Sequence, residues 1–401
     1  MHYAVPRLLH EAGQLERLFT DVTVTSGWPR LLNLIPQSLL PASAQRFATR
    51  KVDGIPKARI TAFTSFGLKF GSLLPRCKNK AEATKLYLWA GEEFCRLIVA
   101  RGFGGATGVY TFNTAGLELL RAAKARGLHA VMEQTIAPKR IEEKLLAEEH
   151  ERWKDWEDAP EKDVWEEKLM GREEAEWQAA DLILCGSQFV AEGIRQCGGP
   201  VEKCAMVPYG VDVAKAKAEM PKTEMLKAEM GNRPLRVLTV GAVGLRKGSP
   251  YVLEAAKRLK GMATFRMVGP VLVSPEAQTK LREHIELTGV VPRSAMHEQF
   301  AWANVFLLPS ICEGSATATY EALACGLPVI CTANTGSVIT DGEQGFIVPP
   351  RAIDPLIERL SQLRESPEEL ADLSKAALKL SEHCTVAAYA QRLLAALSAL
   401  S

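Results

Sequence analysis

Four short apolar runs in the second half of the chain, "LRVLTVG", "TFRMVG", "VFLLPS" and "LPVICT", read as strands buried on both faces. Strands of that kind belong inside a parallel sheet with helices on either side. Helical spacing fills the gaps between them, as in "ATATYEALAC", where Gly326 and then Pro328 supply the stop. The first half alternates in the same way. "TGVYTFN" is followed by the helical "AGLELLRAAKARG" and then the strand "HAVMEQT", and "ADLILCGSQFVAEGI" is a strand running into a helix. "VPRLLHEAG" reads as a helix closed by Gly13, and "DVTVTS" as a strand. Lys139 to Asp181 reads as one long charged helical region whose Trp153, Trp156, Trp165 and Trp177 are packing anchors. The pattern breaks only in the Lys-rich "VPYGVDVAKAKAEMPKTEMLKAEMGNRP". Alternation on both sides of one break predicts two doubly wound α/β domains.

The totals agree with that class. A chain of 401 residues that is 47% apolar can bury two cores. Its net charge of +2 makes no general case for nucleic acid. The distribution is uneven: residues 1–135 hold 18 Lys/Arg against 9 Asp/Glu, and residues 136–182 hold 8 against 16. The basic part suits phosphate-bearing or membrane-bound partners, and equally an ordinary solvated surface. In particular, "LLNLIPQSLLPASAQRFATRKVDGIPKAR" joins an apolar stretch to Arg46, Arg50, Lys51, Lys57 and Arg59. It fits either anionic lipid or a basic loop packed on the core. Nine cysteines, with no CxxC pair and no zinc spacing, point to reduced thiols in a cytoplasm. No run reaches the roughly 18 apolar residues of a spanning helix, and "MHYAVPRLLHEAG" has no secretory core. The expected location is the cytoplasm, at most peripheral to the inner face of a membrane.

Two clusters carry possible chemistry. In "CEGSATATYEALACGLPVICT", Glu313 falls in a loop and Glu321 within a helix. Ser315 is the expected N-cap, leaving the N–H groups of Ala316 and Thr317 to face an anion. In "VLTVGAVGLRKGSPYVLEAAKRL", the glycines at 241, 244 and 248 do not form G-x-G-x-x-G, and Arg246-Lys247-Gly248-Ser249 is not a P-loop. What remains is a basic pair after a strand's carboxyl end, where open α/β sheets bind ligands. Each cluster alone is also compatible with chance carboxylates or a solvated loop.

Together they resemble the retaining glycosyltransferases of family 4, with the GT-B fold. The resemblance rests on the "RKG" loop, the E-x7-E with "EALACGLPVI" some 65 residues on, "PYGVD", "LLPS" and "DGEQGFIVPP". It extends more loosely to "EWQAADLILCGSQFV" in the first half. It implies an acceptor-side Rossmann-like domain over 1–207, onto which a last helix in 386–401 returns, and a nucleotide-sugar-binding domain over 208–385, facing each other across a cleft. It implies transfer of a sugar from a UDP-, GDP- or similar nucleotide sugar to a glycan, lipid-linked or small-molecule acceptor. No other cofactor is expected, nor a metal, as the chain has no DxD motif. By the same resemblance Glu321 takes the ribose hydroxyls, Glu313 lies beside the donor sugar, Arg246 and Lys247 neutralise the diphosphate, and Ser315, Ala316 and Thr317 cradle it. The catalytic set is then Glu313, Lys247 and Arg246.

Departures from the family pattern are also visible. Ala242 stands where many relatives have Arg, and Glu133 and Gln134 stand near the place of a His, with His129 ahead of the strand. Relatives begin with an apolar strand, whereas here Met1 leads almost at once into "VPRLLHEAG". An empty interior slot would cost about 1–3 kcal/mol for each unpaired backbone group. The expectation is therefore a start further upstream, or another segment or subunit in that slot. A nucleotide-sugar epimerase of the same fold and a non-catalytic nucleotide-sugar binding protein are the competing readings.

Overall fold

The computed structural model describes residues 3–25, 50–158, 163–213 and 233–400. Its strands are β1 Leu18–Thr20, β2 Ile60–Ala62, β3 Gly108–Phe112, β4 His129–Gln134, β5 Leu182–Cys185, β6 Cys204–Met206, β7 Leu235–Val240, β8 Ala263–Val268, β9 Ile285–Gly289, β10 Val305–Leu308, β11 Val329–Thr332 and β12 Gly345–Val348. By packing, the chain divides into two compact units. One holds residues 1–133, 162–184 and 394–401, and the other residues 134–161 and 185–393. The division that packing makes and the sequence boundary at 207 are different lines through the chain.

In the second unit the strand order is β12-β11-β10-β7-β8-β9. The chain lays β7 in the middle, adds β8 and β9 on one side, then crosses over to place β10, β11 and β12 on the other. Every pairing in this sheet is parallel, with Val305 opposite Val237 and Phe306 opposite Leu238. The pleat sends Val237, Val305 and Leu307 into one core and Leu238, Phe306 and Leu308 into another, all fully buried. That is why these runs are apolar at every position rather than at every second one. The reversal of strand order also creates a crevice between the carboxyl ends of β7 and β10. The loops that follow those two strands contain Arg246–Lys247 and Glu313.

The first unit has a short parallel pair, β1 with β2, and a parallel ladder of β3 on β4 running from Gly108 opposite His129 to Phe112 opposite Glu133. The helices Lys80–Arg101, Leu117–Lys124 and Val164–Ala179 pack on one another. Glu176, fully buried, ties the last of these to the loop after β3 by accepting the N–H groups of Thr114 at 2.5 Å and Gly116 at 2.8 Å. Gly116 is the N-cap of Leu117–Lys124 and has no side chain with which to cap it, so this carboxylate fixes where the helix begins.

Three expectations change at this level. Residues 21–25 of "DVTVTS" are not a strand; β1 ends at Thr20, ahead of them. Their threonines bond the neighbouring backbone through their hydroxyls, Thr23 to Arg50 O at 2.9 Å and Thr25 from Val52 N–H at 2.8 Å, in competition with a ladder. The charged region is two helices, Lys139–Arg152 and Val164–Ala179, the second started by the Asp163 carboxylate on the N–H groups of Trp165 and Glu166. Trp156 and Trp177 are buried anchors as expected, while Trp165 is only half-buried. The basic stretch lies partly outside the described residues; within them, Arg50 pairs with Asp21 and Lys51 with Asp53.

"VPRLLHEAG" is helical over Ala4–Glu11. Among the described residues no helix is long and apolar enough to cross a membrane. Most of the Lys-rich connection lies outside the described residues, but "PYGVD" is anchored in the second unit. Arg392 of the helix Val386–Ser398 donates to Pro208 O at 3.0 Å and Tyr209 O at 3.3 Å, and Gly210 presses on Thr385.

Replacing Glu176 leaves two backbone N–H groups without their acceptor in a dry place. Glu176→Ala should therefore lower unfolding stability by about 2–4 kcal/mol, read from urea midpoints at an unchanged slope.

Candidate functional site

The site lies wholly in the second unit, at the crevice between β7 and β10. After β7 the backbone turns through Gly241 and Gly244 into a single helical turn, Leu245–Lys247, which ends at Gly248. Gly248 has φ +74°, and a Cβ there would lie 2.1 Å from Pro309 O. Only glycine lets this loop lie flat on the segment after β10. Ile311 N–H then donates to Arg246 O at 2.9 Å and locks the two loops together. The Lys247 side chain runs back across Gly241, where a Cβ would meet its Cε at 2.8 Å.

These constraints bring the cations onto one carboxylate. Lys247 Nζ lies 2.7 Å from Glu313 Oε1, and Arg246 Nη1 lies 3.1 Å from the same oxygen. Glu313 and Lys247 are almost fully buried, with side-chain exposures of 9% and 11%, whereas Arg246 at 34% reaches solvent. Burial, reinforced by the neighbouring Arg246, holds the Lys247 ammonium below the ordinary lysine range although Glu313 pulls it up. Two cations against one anion leave an excess positive charge.

Loop 312–316 is held from several sides. Glu313 N–H donates to Asn334 O at 3.1 Å, and Ala316 N–H to Thr335 O at 3.2 Å. The Ser187 hydroxyl donates to Gly314 O, and Ala137 N–H to Glu313 O at 3.3 Å. Gly314 touches the backbone at Thr135 so closely that a Cβ would lie 2.0 Å from its carbonyl oxygen. The helix Thr317–Ala324 starts here, and its N-cap is Ala316, not Ser315. The Ser315 hydroxyl is taken by the buried Tyr320 hydroxyl at 2.6 Å and by Gly336 O at 3.1 Å. Burial pushes the Tyr320 phenol up to about 12. The Ala316 N–H, expected to face an anion, is spent on Thr335. Thr317, exposed, and Ala318, half-buried, hold the open N–H groups of the first turn.

Glu321 sits one turn further on and is paired with Arg293, Nη2 to Oε1 2.7 Å. Sequence reasoning passed over Arg293, although it follows β9 at the same carboxyl edge of the sheet. It also passed over Ser187, whose hydroxyl holds the loop, and Asn334 and Thr135, which act on it through backbone carbonyls and have no motif of their own. Glu157 is a further addition: its carboxylate accepts Leu245 N–H at 2.5 Å, at the start of the cationic turn.

The arrangement is an anion-receptive corner. Side-chain cations, a helix N-terminus and closely approaching glycine backbone meet where a doubly wound sheet reverses its order. Residues 223–380 match the family described as glycosyl transferases group 1. Among curated proteins, the chain is 30% identical over 202 residues to the putative colanic acid biosynthesis glycosyltransferase WcaL of Salmonella typhimurium, covering 46% of this chain and 48% of that protein. It is 26% identical over 224 residues to the amylovoran biosynthesis glycosyltransferase AmsK of Erwinia amylovora, covering 51% and 53%. The chain thus spans about half the length of the curated relatives it matches.

Solved structures extend the likeness over nearly the whole chain. Anabaena HepE, solved with UDP and glucose, superposes with a TM-score of 0.60 at 16% identity over 96% of this chain and all of that one. Sucrose-phosphate synthase of Thermosynechococcus elongatus superposes with a TM-score of 0.64 at 17% identity over 99% and 92%. At these identities the likeness is one of fold, the GT-B fold with two Rossmann-like domains.

Gly248→Ala should cost about 1–3 kcal/mol from its left-handed backbone alone, and more where the methyl group meets Pro309 O. Thermal unfolding of the variant checks this; an unchanged midpoint would mean the cationic turn is not held as described.

Proposed function

We propose that the chain is a retaining glycosyltransferase of family 4. It takes a sugar from a nucleotide-diphosphate sugar and passes it, without a metal, to a glycan, lipid-linked or small-molecule acceptor. The observation that carries this reading is the convergence of Lys247 and Arg246 on Glu313 Oε1 beside the open start of the helix Thr317–Ala324. A departing diphosphate gains negative charge as the glycosidic bond breaks, so cations fixed in advance at that place favour the transition state over the ground state. Here two side-chain cations and the N–H groups of Thr317 and Ala318 supply the counter-charge a metal would otherwise provide.

In this reading Glu313 is the resting counter-ion of the pair. When a diphosphate arrives it hands over part of that charge and stands beside the donor sugar. Glu321 takes the ribose hydroxyls, in exchange with or alongside Arg293. The fold neighbour HepE was solved with UDP and glucose, which favours a uridine donor, and the colanic acid and amylovoran relatives favour a polymeric glycan acceptor.

A panel of nucleotide sugars, scored for thermal stabilisation and for slow donor hydrolysis, tests the proposal and separates transfer from epimerisation or mere binding. No stabilisation by any nucleotide sugar would sink it. Lys247→Ala should weaken nucleoside diphosphate binding by about 1.5–3 kcal/mol, the worth of a hydrogen bond to a charged group. Glu321→Gln should chiefly weaken binding, because ribose is held alike before and during reaction, while Glu313→Gln should chiefly lower turnover. The pH profile adds an independent check. Since Lys247 loses its proton below the ordinary lysine value of 10.5, diphosphate affinity should decline with rising pH before that value is reached. Lys247→Ala should abolish that decline.

A further inference from the structure

The first unit contains a cleft of about 530 Å³ among the helices Lys80–Arg101, Leu117–Lys124 and Val164–Ala179. That volume suits a small metabolite. Its charged lining is Lys85, Arg121, Lys168 and Arg172 against Glu92 and Glu118. Glu118 is spent on Arg172 through two contacts, at 2.7 and 2.6 Å, so that pair cancels. Lys85, Arg121 and Lys168 are left facing Glu92 alone, and none of these four makes an ion pair among the described residues.

The contrast with the surrounding helices is informative. Apart from Arg101 at a helix end, their other cations are matched: Lys80 with Glu166, Arg96 with Glu93, Lys124 with Asp181 and Arg172 with Glu118. The helix Val164–Ala179 carries Glu166, Glu167, Glu173, Glu174 and Glu176, yet it turns Lys168 toward the cleft. There the ammonium groups of Lys168 and Lys85, from two different helices, lie 4.3 and 5.0 Å from the centroid of the Trp165 ring. Two like charges gathered on one indole repel. The electron-rich ring offsets part of that repulsion, and Arg121 nearby adds to it. An anion seated among the three would relieve it.

We propose that this cleft is a second anion site. It takes a small soluble ligand bearing a phosphate or diphosphate, of the size of a sugar phosphate, with its charged end among Lys85, Lys168 and Arg121 and its body against Trp89 and Trp165. The cleft shares no residue with the Glu313 site, and the inference does not depend on the sugar-transfer reading.

Calorimetric titration of the full chain with inorganic pyrophosphate at low salt tests it, with tryptophan fluorescence as a second readout. Two equivalents should bind. Lys247→Ala should remove one, and Lys85→Gln with Lys168→Gln should weaken the other at least tenfold. Arg121→Gln, an exposed change that breaks no hydrogen bond or ion pair, should weaken the same equivalent and guards against misfolding of the double variant. Trp165→Phe should abolish the fluorescence change that belongs to that equivalent. A single equivalent that disappears with Lys247→Ala would overturn the inference, as would two equivalents untouched in the double variant. If Lys247→Ala alters neither equivalent, the cleft site stands and the nucleotide-sugar reading falls. Glucose 6-phosphate should compete for the cleft equivalent. Competition by phosphatidylglycerol vesicles and not by glucose 6-phosphate would reassign the anion to a lipid and overturn the small-ligand proposal.

Discussion

Lys247, Arg246 and Glu313 meet on a single carboxylate oxygen in a place with little water. Two charges taken out of water cost several kcal/mol each, and their attraction seldom returns more than that. A well-packed apolar trio would serve stability at least as well. The triad is better understood as a charge arrangement that the surrounding structure is built to hold. Gly241 gives Lys247 room to lie back along the loop, and Gly248 and Gly314 let three backbone segments close on one another. Ser187, Asn334 and Thr335 then fix the loop that carries Glu313. These contacts fix the loops at the carboxyl ends of the strands, while the core beneath is filled from β7, β10 and β11 on both faces.

How much of this the sequence shows follows from which interactions are local. Buried parallel strands need apolar residues at every position, so β7, β10 and β11 are legible as runs. The helix Thr317–Ala324 and the loop containing Glu313 are legible from spacing and stop signals. "DVTVTS" fails because threonine hydroxyls can satisfy a backbone nearby, and strand propensity does not say which partner wins. Ser315 fails as an N-cap for a related reason. Its competitors, Tyr320 OH and Gly336 O, reach it only after the tertiary structure has formed. Arg293 pairs with Glu321 across 28 residues and Glu157 reaches Leu245 across 88, separations at which no periodicity operates.

Opposite charge placements appear in the two units. In the second, excess positive charge is nearly buried and restrained by a carboxylate. In the first, Lys85 and Lys168 are exposed and held only by an indole. The uneven sequence charge, basic up to residue 135 and acidic just beyond, leaves its mark there. The acidic helix Val164–Ala179 packs back on the basic one, Lys80–Arg101, and Lys80–Glu166 spans them. Lys124–Asp181 joins the same two charge blocks, while Lys85, Arg121 and Lys168 stay at the cleft mouth without a carboxylate partner among the described residues.

The two glutamates eight residues apart are therefore physically unlike. Glu321 holds Arg293 in a pair whose arginine is 82% exposed, and such pairs are worth about 0–1 kcal/mol. Water can replace either partner at little cost, so a hydroxyl-bearing ligand can enter. Glu313 cannot be released in that way. With 9% exposure it would keep an uncompensated charge if its cations simply turned away. The cations can shift toward an incoming group only if that group is itself anionic and takes over the field they supply. Selectivity for an anion thus follows from the burial of Glu313, and tolerance of a neutral polar ligand from the exposure of Arg293. A ligand that is anionic at one end and rich in hydroxyls at the other satisfies both carboxylates at once.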